Sequence, residues 1–88
     1  MTAYVYLLWC GPRRTLYCGW TTDVPRRLAA HSAGKGAKYT RSRLPIELAA
    51  VIAMPGAAEA RREEARIKRL SRAQKLALVG VRSPAPPR

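Results

Sequence analysis

The chain has 88 residues, enough for one domain with a modest core and too few for a separate regulatory module, so binding and any chemistry must share one fold. Seventeen Lys and Arg against five Asp and Glu give a formal charge of +12, which makes a polyanion, nucleic acid first, the expected partner of the surface. An anionic membrane is the competing partner, but there is no apolar run of about 18 residues and no secretory leader, so the sequence reads as soluble and cytoplasmic.

Ala3 to Cys10 (AYVYLLWC) is an almost unbroken apolar and aromatic run. It is followed by the turn-forming Gly11-Pro12-Arg13-Arg14 and a second β-prone run, Thr15 to Trp20, which together predict an antiparallel hairpin. Cys10 and Cys18 fall in these two strands without CxxC spacing or a second ligand pair, and read as reduced core thiols rather than a disulfide or zinc site. Asp23 can cap a short helix that accepts Pro25 in its first turn, carries Arg26, Arg27 and His31, and stops near Gly34. The segment from Gly34 to Arg43 contains Lys35, Lys38, Arg41 and Arg43 and no acid, the pattern of a flexible loop facing solvent.

Ile46 to Met54 (IELAAVIAM) predicts a third strand, closed by Pro55-Gly56, and a helix follows from about Ala57 to Leu70. Ser71 with Gln74 three residues on is a capping-box signature for one more helix, ending by Gly80. Residues 81–88 are Pro-rich and too poor in apolar side chains to pack, so the domain is expected to span 1–80, with a disordered tail. The order β-β-α-β-α-α predicts an α+β fold, a small three-stranded antiparallel sheet flanked by helices.

A few residues sit where packing alone would not put them. On the second predicted helix Ala57, Ala60, Glu64 and Ile67 follow a 3,4,3 spacing, so Glu64 shares the stripe that should face the core while Glu63 points to solvent. A carboxylate there needs a partner, either a basic side chain or a hard cation. Arg27 and His31 are four apart on one helix face, and Tyr6 and Tyr17 lie on adjacent strands. Each has an ordinary explanation alone: phenols fill cores, Arg27 is one more surface charge, His31 caps a helix end. Together a phenol, a guanidinium, an imidazole and a carboxylate cover what phosphodiester hydrolysis requires, namely a base for water, a cation for the pentacoordinate phosphate, and a metal ligand for the leaving oxygen.

Tyr4-Val5-Tyr6 followed eleven residues on by Tyr17-Cys18-Gly19 resembles the two half-motifs that name the GIY-YIG nucleases. Thr21 to His31 is similar to the family's capped helix with Arg and His four apart. Gly34-Lys35-Gly36-Ala37-Lys38-Tyr39-Thr40 looks like the loop of its small bacterial single-domain, UPF0213-like branch, and Glu64 to Ser71 matches the segment with the metal-binding Glu. The resemblance implies that Tyr17 is the favoured general base or relay, that Tyr6 orients the water or phosphate, and that Arg27 stabilises the transition state. It further implies that His31 shares the proton transfer and that Glu64 holds one divalent cation, Mg²⁺ or Mn²⁺. It implies that Gly19 lets the backbone come close to the site. For Tyr17 to act as a base, the cation and Arg27 would have to favour its ionised form. The departures are Tyr4 in place of Gly, Cys18 in place of a β-branched residue, and the lack of any Asn, where many members carry one after the metal-binding helix; Gln74 or Lys75 stands nearest that place.

The expected activity is that of a metal-dependent endonuclease acting on DNA in preference to RNA, structure-selective or weakly specific, in repair or recombination, as a monomer or homodimer. Lys35, Lys38, Tyr39, Arg41 and Arg43, with Arg13, Arg14, Arg61, Arg62 and Arg66, are the candidate nucleic-acid contacts, Tyr39 and Trp20 as stacking platforms. A non-catalytic nucleic-acid-binding module and an interaction protein using the Trp9 or Trp20 face are the other readings. The first gives no reason to keep Tyr6, Tyr17, Arg27, His31 and Glu64 together, and the second leaves the charge excess unexplained.

Overall fold

The structure is a computed structural model that describes residues 1–82. Strands β1 (Ala3–Cys10), β2 (Thr15–Thr21) and β3 (Ile46–Met54) form one sheet in the order β2-β1-β3, with both pairings antiparallel. The helices are α1 (Val24–Ser32), α2 (Lys38–Arg41), α3 (Ala57–Lys68) and α4 (Arg72–Arg82). The architecture is the expected α+β arrangement. Among the described residues no helix is long and apolar enough to cross a membrane.

The unbroken apolar reading of β1 has a simple cause: it is the central strand and is covered on both faces. Ala3, Val5 and Leu7 point to one side, where they pack with Cys18, Ala50, Ile52, and Ala60 and Ile67 of α3. Tyr6, Leu8 and Cys10 point to the other, where Tyr17, Leu28 of α1, Ile46 and Leu48 meet them. A bulge between Leu7, opposite Ala50, and Leu8, opposite Leu48, leaves Ala49 as the extra residue, and Ala49 and Ala50 are both buried. Cys10 and Cys18 are free and buried on opposite faces of the sheet, which rules out a disulfide between them; burial pushes the Cys18 thiol up to about 12.

The helix starts follow their sequence signals. The Asp23 carboxylate accepts the Arg26 N–H at 3.1 Å with Pro25 in the first turn. The Ser71–Gln74 capping box forms in both directions, at 2.9 and 3.2 Å. Three expectations need correction. The Gly34–Arg43 segment is not an open loop: it holds α2, and Thr40 within it is fully buried, because its hydroxyl has a partner inside the protein. Helix α3 ends at Lys68 rather than Leu70, its last turn tightening into Arg69 N–H to Arg66 and Leu70 N–H to Ile67 carbonyl bonds. Gly80 does not stop α4, which continues to Arg82; of the tail expected to be disordered, residues 83–88 lie outside the described residues.

Candidate active site

The site is built on the sheet face that carries Tyr6. In the β1–β2 ladder Tyr6 stands opposite Gly19 and Tyr17 opposite Leu8, so the two phenols share a face as diagonal neighbours. Gly19 is required by this arrangement, since a Cβ there would lie 2.5 Å from the Tyr6 hydroxyl. Helix α1 lies over the same face and lowers His31 between the tyrosines, its ring centroid 5.7 Å from Tyr6 and 5.5 Å from Tyr17. His31 does not end the helix as a surface cap; it is completely buried.

A continuous run of hydrogen bonds connects these groups. Arg27 Nε donates to the Tyr6 hydroxyl oxygen at 3.4 Å, and Tyr6 Oη lies 2.9 Å from His31 Nε2. On the far side of the ring, His31 Nδ1 lies 2.7 Å from Thr40 Oγ1, which in turn donates to the Ala37 carbonyl at 2.9 Å. Gly36 lies against the imidazole so closely that a Cβ there would collide with Nδ1. The segment read as a flexible basic loop is therefore the lid of the buried histidine.

Burial and charge set the protonation states. Burial raises the Tyr6 pKa, and a bond and charge from Arg27 oppose this only in part. Tyr17 is raised for the same reason, with Arg27 pulling down and Glu64 pushing up. The expectation that Arg27 tips Tyr17 toward its ionised form is thus not met by Arg27 alone, because desolvation is the larger effect. His31 is lowered by burial and by the Arg27 charge, so at neutral pH the imidazole is uncharged.

Glu64 belongs to α3, on the other side of the sheet, yet its charge acts on Tyr6, Tyr17 and Cys18. Strand β2 is an edge strand, and α3 passes along it. Lys68, one turn on, pairs with Glu64 at 3.5 Å and stands 5.9 Å from the Tyr17 ring centre. The Glu64 and Glu63 side chains are equally accessible at 21%, and Glu63 is held by Arg66 through two bonds of 2.8 and 2.7 Å rather than pointing free into solvent. Ala57, expected in the core stripe, is exposed, while Ala60 and Ile67 are fully buried as the spacing required.

The basic residues divide into two groups. Arg14 pairs with Glu47 at 3.1 Å and lies over Trp9, on the sheet face away from the tyrosines; Arg62 and Arg66 pair with Glu59 and Glu63. Lys35, Lys38 and Arg41 are exposed and form no ion pair among the described residues. Tyr39 stacks on Tyr17 at 5.7 Å and carries the Arg43 guanidinium 3.9 Å from its centre, so a base stacking there must compete with Arg43. Trp20 packs on the apolar core. Gln74, one stand-in for the absent Asn, has its amide oxygen committed to the Ser71 N–H, and Lys75 is close enough to Cys18 to lower its pKa. Sequence reasoning missed Thr40, Gly36 and Lys68; the signal for Thr40 was a small hydroxyl nine residues after the only histidine, legible only once the intervening chain is known to turn back.

The profile described as the GIY-YIG catalytic domain matches residues 2–77. A UPF0213 protein of Cupriavidus pinatubonensis is 53% identical over 74 residues, covering 84% of this chain and 81% of its own length. A UPF0213 protein of Halobacterium salinarum is also 53% identical, over 75 residues, covering 85% of this chain and 96% of its own. The solution NMR structure of the UPF0213 protein BH0048 from Bacillus halodurans superposes with a TM-score of 0.60 at 48% identity, covering 96% of this chain and 88% of that one.

Proposed function

The chain belongs to the GIY-YIG family, and from that membership and the geometry of the site we propose that it is a divalent-metal-dependent endonuclease hydrolysing phosphodiester bonds in DNA. The observation that carries the reading is the convergence of Tyr6, Tyr17, Arg27 and His31 on one sheet face, within the electrostatic reach of Glu64. A hydrogen-bonded imidazole, phenol and guanidinium together supply groups that can hold and move protons beside a cation.

Each residue has a task that its position allows. Among the described residues the Arg27 guanidinium donates only Nε, to Tyr6, which leaves its terminal nitrogens for the non-bridging oxygens of a phosphate. Neutral His31 offers Nε2 to the Tyr6 phenol, so a proton arriving at Tyr6 has somewhere to go. The Tyr17 hydroxyl makes no hydrogen bond among the described residues and is the phenol open to a water or a substrate oxygen, as a base or relay must be. Lys35, Lys38 and Arg41 supply phosphate contacts without sequence information, which supports loosely specific or structure-selective binding.

For the cation, the described residues contain no group of three or more His, Cys, Asp or Glu. We assign the cation to Glu64, and a lone carboxylate suits a hard ion such as Mg²⁺ or Mn²⁺ that keeps several waters and completes its shell with substrate oxygens. When bound there, the cation would neutralise charge on the leaving oxygen and cancel the Glu64 field that helps hold both tyrosines protonated. Lys68 competes for the same carboxylate and must yield it. Action in repair or recombination, inside the cytoplasm, is part of this proposal.

The test is cleavage of labelled single-stranded, duplex, flap and branched DNA with Mg²⁺ or Mn²⁺, comparing the wild-type chain with Glu64→Ala and Tyr17→Phe under EDTA controls. Metal-dependent nicking lost in both variants, with binding retained, is the expected result. Binding without cleavage in all three proteins would replace the endonuclease by a non-catalytic nucleic-acid-binding module, as the absence of Asn from the sequence would then foreshadow.

A further inference from the structure

The hydrogen-bond run through the site begins and ends on groups whose roles are fixed. Arg27 Nε can only donate, and the Ala37 carbonyl can only accept. Between them stand three groups that can do either: the Tyr6 hydroxyl, the His31 imidazole and the Thr40 hydroxyl. One direction satisfies every member. Arg27 donates to Tyr6, Tyr6 donates to His31 Nε2, His31 Nδ1–H donates to Thr40, and Thr40 donates to Ala37.

The opposite imidazole tautomer breaks the sequence. With the proton on Nε2, both Arg27 and His31 would donate to the Tyr6 oxygen, and the phenolic proton would be left without an acceptor in a nearly closed site. Tyr6 is 3% exposed, and His31 and Thr40 are 0% exposed, so little water reaches the run to make up the loss. The Ala37 carbonyl also receives the Arg41 N–H at 3.0 Å, which holds the acceptor in place independently of Thr40. Gly36 lies beside the ring, where a Cβ would meet Nδ1, so the backbone packs directly against the face of the imidazole.

We infer that Thr40 is a positioning residue of the site: it fixes His31 as the Nδ1–H tautomer, which keeps the Nε2 lone pair turned toward Tyr6. Thr40 touches no reacting atom and acts through the imidazole alone. The consequence for catalysis rests on the endonuclease reading: the phenolic proton of Tyr6 can pass to Nε2, after which the imidazolium still donates through Nδ1 to Thr40. With the other tautomer Nε2 already holds a proton and the transfer has no acceptor.

The test uses the full ¹⁵N-labelled chain as wild type, Thr40→Val and Thr40→Ser, with long-range ¹H–¹⁵N correlations of the single histidine ring at a pH above its titration. In the wild type and Thr40→Ser, Nδ1 is expected to give the protonated, pyrrole-like signal and Nε2 the pyridine-like one. In Thr40→Val, which keeps the shape and removes the hydroxyl, the ratio should move roughly tenfold toward Nε2–H, the response to withdrawing one buried acceptor. Cleavage by Thr40→Val should fall in kcat by roughly 10- to 100-fold with KM within about a factor of two, and Thr40→Ser should restore most of it. A wild-type histidine protonated on Nε2, or a Thr40→Val ratio equal to that of the wild type, overturns the inference. If the wild-type chain cuts no substrate, the endonuclease reading fails by itself, and the tautomer ratio still decides the role of Thr40.

Discussion

The two faces of the sheet are built on different terms. On the face covered by α3 and α4, Val5, Leu7, Cys18, Ala50, Ile52, Ala60 and Ile67 pack with no polar side chain among the buried residues. On the face covered by α1 and α2 the fully buried set includes Leu8 but also His31 and Thr40, with Tyr6 bonded to the imidazole edge opposite Thr40. No buried side-chain polar atom lacks a partner among the described residues, so the second face pays for its polarity in full with hydrogen bonds. One face holds the fold, and the other uses the rigidity this provides to keep a run of polar groups in a single order.

The largest stability effect belongs to the apolar face. Leu7→Ala removes a fully buried side chain from the central strand and is expected to cost about 2–5 kcal/mol, read as a lower urea midpoint, in a domain small enough for that to leave a large unfolded fraction. A cost below about 1 kcal/mol would mean that the polar face holds the larger share of the fold. Next comes Gly36→Ala, whose Cβ meets His31 Nδ1. Overpacking there should cost about 1–3 kcal/mol and move the imidazole, visible as loss of the ring contacts of His31 with Tyr6 and Tyr17 in NMR.

The third prediction concerns pH and sharpens the difference between the faces. The folded pKa of His31 lies below the ordinary 6.5, so the folded state refuses a proton that the unfolded chain accepts. Nothing is lost above 6.5; stability declines as pH falls through 6.5 toward the lowered folded value, and the decline levels off below it. His31→Gln should flatten this part of the urea-midpoint profile between pH 8 and 5, whereas Leu7→Ala should shift the profile without changing its shape. Identical profiles for the wild type and His31→Gln would contradict the burial of a neutral imidazole.

The smallest expected effect lies in the β1–β2 turn, at the exposed end of the sheet. Arg14 adopts φ 51°, a left-handed conformation that costs a residue with a Cβ about 1 kcal/mol. Arg14→Gly relieves it but gives up an exposed ion pair with Glu47, worth about 0–1 kcal/mol, and the contact with Trp9. The thermal midpoint should change little, and a large fall would show that the Trp9 contact matters more than its exposure suggests.

How much of this was legible in the sequence also divides by face. The strands, the capped α1, the capping box of α4 and the buried Ala60 and Ile67 follow from periodicity and short-range chemistry, which the chain carries locally. The pairing of Tyr6 with Gly19 rather than Tyr17 follows once the hairpin register is known. The Gly34–Arg43 segment was misread because its composition describes a solvated loop while its role is decided by two small residues, Gly36 and Thr40, that meet a histidine packed from another element. Glu64 stands out by its place in the stripe and its pairing with Lys68 is a local i,i+4 pattern, but its reach to the tyrosines depends on α3 running beside an edge strand, which no local pattern encodes.

The proposed function makes the polar face a catalytic site supported by a separate structural face. Its most direct measurement is Glu64→Gln, assayed on one preparation for urea midpoint, DNA binding by gel shift, and Mg²⁺- or Mn²⁺-dependent cleavage of branched DNA. The midpoint is expected to stay close to that of the wild type, with binding kept and cleavage lost, since Glu64 is partly exposed and among the described residues pairs only with an exposed lysine. Cleavage at the wild-type rate, or a loss of cleavage only in step with unfolding, would contradict it.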